Sequence, residues 1–199
     1  MATDSGSDYG EERNSDAFKT MSLDFVSYDP VDHDWFFNSI QQFSSSVINF
    51  CASTPRPMDI NFTSSVAKHL KRNSNLFVMI YADQLYECVG TLFLESSHRD
   101  MAHHRCSKLG IGILKAYQHH EAEAVEWALN WAFKSAGLHR VEMNIPPWNM
   151  RLGEVCEEIG FQTEGTRKEC LFKNGKWWDE VNMAILKEDW KQRHIKMEK

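Results

Sequence analysis

The stretch from Leu109 to Phe161 constrains the fold more than any other part of the chain. It reads as an apolar strand, a helix, a second strand and a second helix. The first helix, predicted over residues 120–135, is apolar on most sides. Its polar residues form one narrow stripe at Glu123, Glu126, Asn130 and Lys134. A helix of this kind is buried against a sheet, and the order places its N-terminus beside a strand, where a ligand can dock.

The flanking segments predict the rest of the sheet. Residues 23–28 alternate as a half-buried strand, and residues 32–43 and 62–72 have helical spacing, separated by a break at residues 54–57. Residues 76–81 and 86–94 read as a hairpin, and residues 108–114 and 140–145 as further strands. Asn149 is a suitable N-cap for the helix that Gly160 ends. A final hairpin, residues 161–172 and 177–186, is predicted around the Asn174–Gly175 turn.

The length of 199 residues suits one domain with a substantial core. Residues 1–20 are acidic and rich in Ser and Gly, and they carry too few large apolar groups to offset the entropy cost of ordering. We therefore expect a disordered acidic tail at 1–20, one domain at 21–192 and a C-terminal tail at 193–199.

Charge and cysteine content exclude several classes. With 28 Asp and Glu against 22 Lys and Arg, the net charge of -6 argues against nucleic-acid binding. The five cysteines include no C-x-x-C pair, which favours a reducing cytoplasm over a disulfide framework or a zinc site. No apolar run reaches the ~18 residues that a membrane span needs, so no membrane association is expected.

Several separate sequence motifs together resemble those of one protein family. Asn149, Leu152, Val155, Cys156, Glu157, Glu158, Gly160 and Phe161 fit the pattern N-x-x-A-x-x-L-Y-E-K-x-G-F in register, and Glu164-Gly165 and Asp179 also match. Over roughly residues 21–190 the chain resembles the GNAT acyltransferases, in particular the branch of ribosomal-protein N-terminal acetyltransferases. The resemblance implies an α+β fold with a central mixed, mostly antiparallel sheet of six to seven strands, splayed in the middle and flanked by about four helices.

The resemblance also implies an acetyl-CoA site and no metal. Backbone amides of the strand at 108–114 would bind the pantetheine arm, and the start of the helix near His120 would bind the pyrophosphate. Small residues at Gly110 and Gly112 would let the ligand approach. The residues expected to bind the donor are Ile111, Ile113, Leu114, Gln118, His119, His120, Glu121, Ala122 and Asn149.

The phosphate loop departs from the family. Its pattern Y-Q-x-x-G-x-G-x-E-A meets Tyr117-Gln118, but both glycines are missing and a carboxylate comes near the phosphate position. Two opposed outcomes follow. Either His119 and His120 become cationic and compensate, or the chain has lost donor binding and kept the fold.

Three residues are candidates for the chemistry. Glu142, on the strand that borders the acyl site, is the first candidate for the general base, although a solvated or cross-strand paired charge is the commoner role for such a residue. Asn144 could hydrogen-bond the thioester or the substrate. Cys156 stands where many relatives place a tyrosine that protonates the CoA thiolate, but a Cys on the apolar face of a helix is more often a small core residue.

The sequence therefore predicts an N-acetyltransferase that moves an acetyl group from acetyl-CoA to a primary amine by direct attack in a ternary complex. The oxyanion would be held by a backbone amide near Ile113 or Leu114. The acceptor is a protein N-terminus, a polyamine or a small amine, and the chain is a monomer or homodimer. The alternative is a GNAT-like binding module with lost or weakened CoA binding.

Overall fold

A single seven-stranded sheet organises the molecule. The computed structural model describes residues 15–43, 60–82, 87–96 and 99–197. The strands are β1 (Leu23–Ser27), β2 (Ser74–Ala82), β3 (Glu87–Ser96), β4 (Cys106–Ile113), β5 (Arg140–Ile145), β6 (Gln162–Lys173) and β7 (Lys176–Leu186). The α-helices are α1 (Pro30–Phe43), α2 (Ile60–Asn73), α3 (Glu121–Asn130), α4 (Met150–Ile159) and α5 (Lys187–Met197).

Short helical turns join these elements. Four of them are 3-10 turns, at Ser15–Phe18, Arg99–His104, Lys115–His120 and Pro147–Asn149. The helix α3 continues into a π-helical turn at Trp131–Ser135, and Gly137 then ends the segment with a φ of +66°. Gly160 closes α4 in the same left-handed region, with a φ of +110°. Both glycines stand where the sequence predicts a helix to stop.

The strand order is β1-β2-β3-β4-β5-β7-β6. Every neighbouring pair is antiparallel except β4 and β5. These two strands run parallel, and the crossover connection that parallel strands require contains α3. The β6–β7 hairpin turns at Asn174 and Gly175, both with positive φ, as expected for this turn signal. The antiparallel pairing of β2 with β3, expected as a hairpin, is also confirmed.

The two faces of the sheet carry different cores. One face packs against α3 and α4 and includes Leu109, Ile111 and Ile113 of β4 together with Val141 and Met143 of β5. The other face, under α1 and α2, is smaller and aromatic, with its buried residues at Tyr28, Phe37, Ala67, Leu70, Met79 and Phe93. This second cluster draws its strand residues from β2 and β3, so the face of β5, β7 and β6 on the α1 side lies beyond it.

The expected fold class is confirmed. The described residues form five α-helices rather than about four, because α5 follows β7. Residues 193–197, expected in a C-terminal tail, are the end of α5, which Trp190 anchors in the core. Residues 15–18 of the expected N-terminal tail form a 3-10 turn, while residues 1–14 and the break at 54–57 lie outside the described residues.

Among the described residues, no helix is both long enough and apolar enough to cross a membrane.

Candidate active site

The parallel strands β4 and β5 separate after three residue pairs. Their ladder runs from Cys106–Arg140 to Lys108–Glu142 and then stops. Beyond it, β4 stays paired with β3 as far as Ile113, and β5 stays paired with β7 as far as Ile145. Each strand is therefore held on its outer side only, and a gap opens between them toward their C-terminal ends. Backbone polar groups along such a gap need a partner, which a ligand or water can supply.

The alternation of the backbone tells which groups of β4 face the gap. The Leu114 amide donates to the Val89 carbonyl of β3, at 2.8 Å. Since successive N–H groups of a strand point to opposite sides, the amides of Ile111 and Ile113, which lie beyond the last β4–β5 pair, point away from β3 and toward the gap. Ile111 and Ile113 are among the residues expected to bind the donor. Of the two amides expected to hold the oxyanion, that of Leu114 is already committed to β3 and that of Ile113 is directed at the gap.

Gly110 has a different role from the one expected. A Cβ at this position would lie 2.0 Å from Cζ of Phe93, so the missing side chain is needed by a buried aromatic ring rather than by a ligand. A similar close approach occurs below β5. A Cβ on Gly153 of α4 would lie 3.3 Å from Cγ2 of Ile145, and the glycine thus lets α4 pack closely under the splayed end of the strand.

The turn before α3 needs no glycine in this chain. Residues 115–120 form a 3-10 turn, and no described residue from 114 to 122 has a positive φ. The amide of Glu121 donates to the carbonyl of Gln118, so α3 continues directly from the turn. The backbone of this turn has φ and ψ angles that residues other than glycine adopt without strain, so the turn forms without the two glycines of the family pattern.

A buried carboxylate occupies the first turn of α3. The Glu121 side chain is 6% exposed and forms an ion pair with Arg151, from the first turn of α4, whose own side chain is 47% exposed. Burial raises the pKa of Glu121, and the Arg151 charge opposes that rise. A buried carboxylate thus lies in the first turn of α3, and an arginine of a neighbouring helix accompanies it.

The other residues of this region are engaged in part with one another. His120 lies 3.3 Å from Glu123, measured from Nδ1 to Oε2. Its ring centroid is 4.0 Å from that of the exposed His119, with the two rings tilted by 42°. Ala122 is exposed. Asn149 is the N-cap residue of α4, as expected, and it is buried, although its side chain makes no capping hydrogen bond.

Cys156 lies in the core on the α3 side of the sheet. Its Sγ is 3.4 Å from Sδ of Met143, and the residue has no exposed surface. Burial, with a smaller contribution from Glu121 and Glu157, raises the pKa of the thiol to about 12. Proton transfer from such a thiol to a thiolate of ordinary pKa runs uphill by roughly three pKa units, or about 4 kcal/mol. The geometry favours the core role of Cys156 over the acid role.

Glu142 and Asn144 lie on the opposite face from Cys156. Because β5 alternates, Met143 points to the α3 side and its two neighbours point to the other. The Glu142 carboxylate accepts a hydrogen bond from Nε of Arg140 at 2.7 Å, and its side chain is 43% exposed. The three catalytic candidates are therefore not brought together: two share a face near the gap, and the third is under the sheet.

Asn144 belongs to a polar cluster that sequence reasoning missed. Its Nδ2 donates to Oε2 of Glu180 at 2.9 Å, and its Oδ1 accepts from Nδ2 of Asn182 at 3.3 Å. Arg167 of β6 donates to the same Glu180 oxygen at 3.0 Å. The one available signal was the polar spacing of Glu180 and Asn182 on the predicted strand, which places both on one face.

Metal ligation has no candidate in the described part of the chain, where no three His, Cys, Asp or Glu side chains converge. The adjacent His103 and His104 contact each other, with ring centroids 4.0 Å apart and the two rings tilted by 42°.

Comparison with known proteins fits this architecture. The family model of the acetyltransferase (GNAT) domain matches residues 29–162, more than half of the chain, and covers the gap, the turn and both flanking helices. The chain belongs to the GNAT acetyltransferase family.

Individual relatives match over shorter segments. The chain is 39% identical over 69 residues to the uncharacterized N-acetyltransferase YnaD of Bacillus subtilis, a match that covers 35% of this chain and 41% of the relative. It is 34% identical over 68 residues to the ribosomal protein uS5 alanine N-acetyltransferase of Escherichia coli, covering 34% of this chain and 35% of that protein. The matched part is thus well under half of the length of these relatives.

Solved structures share the whole fold. The spermidine N-acetyltransferase of Vibrio cholerae in complex with CoA and spermine superimposes with a TM-score of 0.72 at 21% identity, covering 84% of this chain and 97% of that one. A GNAT-family acetyltransferase of Bacillus anthracis gives 0.69 at 21% identity, covering 86% and 98%. At this identity the likeness concerns the fold.

Proposed function

We propose that the chain is an N-acetyltransferase that moves an acetyl group from acetyl-CoA to a primary amine by direct attack in a ternary complex. The observation that carries the proposal is the gap between β4 and β5, where three pairs are formed and the remaining β4 backbone faces an opening. If β4 and β5 stayed paired, their backbones would form more hydrogen bonds, so their separation lowers the stability of the fold. A pantetheine arm bound in the gap would replace those hydrogen bonds.

The residues of the gap suit the donor. The N–H groups of Ile111 and Ile113 are suitable hydrogen-bond donors for the amide groups of a pantetheine arm. Asn149 lies between the end of β5 and the start of α4. At the far end, the proposed diphosphate position is the start of α3, around Gln118, His119, His120, Glu121 and Ala122. Acetyl-CoA supplies an acyl group activated as a thioester, and the chain's own groups bind and orient it.

The acceptor side needs a proton acceptor and an oxyanion donor. Glu142 and Asn144 are on the face of β5 away from α3, and we propose Glu142 as the base and Asn144 as the group that orients the amine or the carbonyl. The Ile113 amide is the proposed oxyanion donor. Cys156 stays the third candidate, as acid, although its burial argues for a core role.

The named relatives suggest which amines to test first. One acetylates an alanine of a ribosomal protein and another acts on spermidine, so a protein N-terminus and a polyamine are both proposed acceptors here, with small amines as a further class. We also propose a cytoplasmic setting and a monomer or homodimer.

A second candidate function is a binding module with weakened donor affinity. The buried Glu121 favours it, since a carboxylate in the first turn of α3 repels a diphosphate at that position. The ion pair with Arg151 limits this repulsion, because it neutralises the carboxylate and offers a cation close by.

The test combines binding with turnover. Calorimetric titration with acetyl-CoA should give saturable binding, and a thiol-release assay with spermidine and with an alanine-initiated peptide should give turnover. Glu142→Gln should lower kcat at least tenfold. The control is Glu158→Gln, which makes the same substitution at an exposed glutamate of α4 and should leave kcat unchanged. Binding without release of thiol for any amine would favour the binding module. No binding at millimolar acetyl-CoA would refute the N-acetyltransferase and favour a chain that has lost donor binding and kept the fold.

A further inference from the structure

Glu180 is a buried carboxylate on β7, one strand away from the gap. It comes directly before Val181, which pairs with Ile145 at the end of β5. Its side chain is 7% exposed, although it faces away from the apolar core that Val181 and Met183 join. A carboxylate in such a place is retained at a cost unless a cation and hydrogen bonds satisfy it.

The counterion of Glu180 is the mostly exposed side chain of Arg167. Arg167 lies directly opposite on β6 and donates to Oε2, but the arginine side chain is 62% exposed. The two partners therefore differ: the carboxylate is fixed by burial and by the Asn144 amide, while the guanidinium is on a long, largely solvated side chain. Displacing the arginine into water costs little, whereas leaving the carboxylate without any cation costs much.

Asn144 connects this carboxylate to the gap. It is the second β5 residue after the ladder with β4 ends at Glu142, and its Nδ2 donates to Glu180. A cation held by Glu180 would thus lie within one side chain of the opening between β4 and β5. The cation that the proposed reaction brings there is the ammonium of the acceptor.

We propose that Glu180 binds the ammonium group of the acceptor amine in exchange for the Arg167 guanidinium, and so positions the acceptor nitrogen beside Asn144 at the gap. The inference rests on the proposed function, because it assigns the acceptor half of that site. Arg167 acts as an internal counterion that the substrate replaces, and the substrate class is a primary amine that arrives protonated.

Three variants test the assignment in the full chain, with acetyl-CoA as donor and with spermidine and an alanine-initiated peptide as acceptors. Glu180→Gln should raise the KM for the amine at least tenfold while the KM for acetyl-CoA stays within twofold. Arg167→Gln removes the competing cation and should lower the amine KM two- to tenfold. Glu169→Gln is the matched control, because it removes an exposed carboxylate from the same strand, and it should leave both constants within twofold.

Direct binding separates this inference from the proposed function. Calorimetry with CoA-loaded protein measures amine binding without turnover, so an enzyme that binds amines through Glu180 but releases no thiol would refute the proposed reaction alone. Equal amine affinity in wild type and Glu180→Gln overturns the Glu180 site, as does a CoA-loaded wild type that binds neither amine. Should Glu180→Gln fail to fold, Arg167→Gln decides, since an unchanged or raised amine KM in that variant also overturns the exchange.

Discussion

Gly110→Ala is the substitution whose effect follows most directly from the structure. Gly110 lies on β4, next to the gap, and its missing side chain leaves room for the ring of Phe93. An added Cβ would lie 2.0, 2.4 and 2.6 Å from three atoms of that ring. Ordinary contact begins at 3.4 Å, so the nearest ring atom would have to retreat by about 1.4 Å.

The ring has little room to retreat. Phe93 is 2% exposed and packs with Met79 and Tyr28 under α1 and α2, so it cannot move without displacing other buried groups. Overpacking of this kind costs about 1 to 3 kcal/mol, and expelling a buried Phe ring costs about 3 to 5 kcal/mol. We expect Gly110→Ala to lower the free energy of unfolding by about 2 to 4 kcal/mol, which lowers the Tm by roughly 5 to 15 °C in a chain of this size.

Urea unfolding followed by tryptophan fluorescence measures the loss. Gly165→Ala is the control, because a Cβ at that strand glycine meets nothing within 4 Å, and its Tm should stay within about 2 °C of wild type. A Gly110→Ala protein as stable as the control would refute the reasoning, since it would mean that the ring does not fill the space above Gly110.

Three further predictions concern the helix α3 and the core beside it. Glu121→Gln removes the carboxylate from the proposed diphosphate position and should tighten acetyl-CoA binding by roughly tenfold in a calorimetric titration, with weaker binding as the contrary result. Cys156→Ser should lower the unfolding free energy by about 1 to 3 kcal/mol, because a buried hydroxyl needs a partner, and should leave the pH profile of kcat unchanged if the thiol is not an acid. Burial of Glu123 acts to raise its pKa, but hydrogen bonds from Thr20, Ser22 and His120 outweigh it and hold the pKa below 4.5, so its stabilising contribution is present above that pH and is lost as pH falls through the folded value. Thermal unfolding between pH 6 and 3 should therefore show a steeper loss for wild type than for Glu123→Gln, and parallel curves would contradict this.

Periodicity predicted most of the fold because burial in this chain follows the local pattern. The hairpins β2–β3 and β6–β7, the buried helix α3 and the glycine ends at Gly137 and Gly160 all appear where the sequence places them. The helix α5 was missed because it is strongly charged. Among its side chains whose burial the structure describes, the buried apolar one is Trp190, and a single residue gives no repeating pattern.

The candidate site was predictable from the sequence only in the segments that match the motifs of the family. The gap, the crossover and the start of α3 followed from the resemblance, whereas the role of Gly110 depends on Phe93, a residue of the neighbouring strand. The cluster around Glu180 joins three strands, β5, β6 and β7, and the β6–β7 register shifts between Arg167 and Leu171. A pairing that depends on such an irregular register cannot be read from spacing along the chain.

The two ion pairs at the proposed site follow one electrostatic design. In each, a carboxylate with 6% or 7% exposure is paired with an arginine that is 47% or 62% exposed: Glu121 with Arg151, and Glu180 with Arg167. A buried charge without a partner is costly, so each pair stabilises the empty fold, and the exposed arginine is the member that can exchange. The proposed substrates act on opposite members. The anionic diphosphate of the donor would attract Arg151 away from Glu121, while the cationic acceptor would replace Arg167 on Glu180. The same arrangement of buried acid and surface arginine would thus serve an anion at one position and a cation at the other.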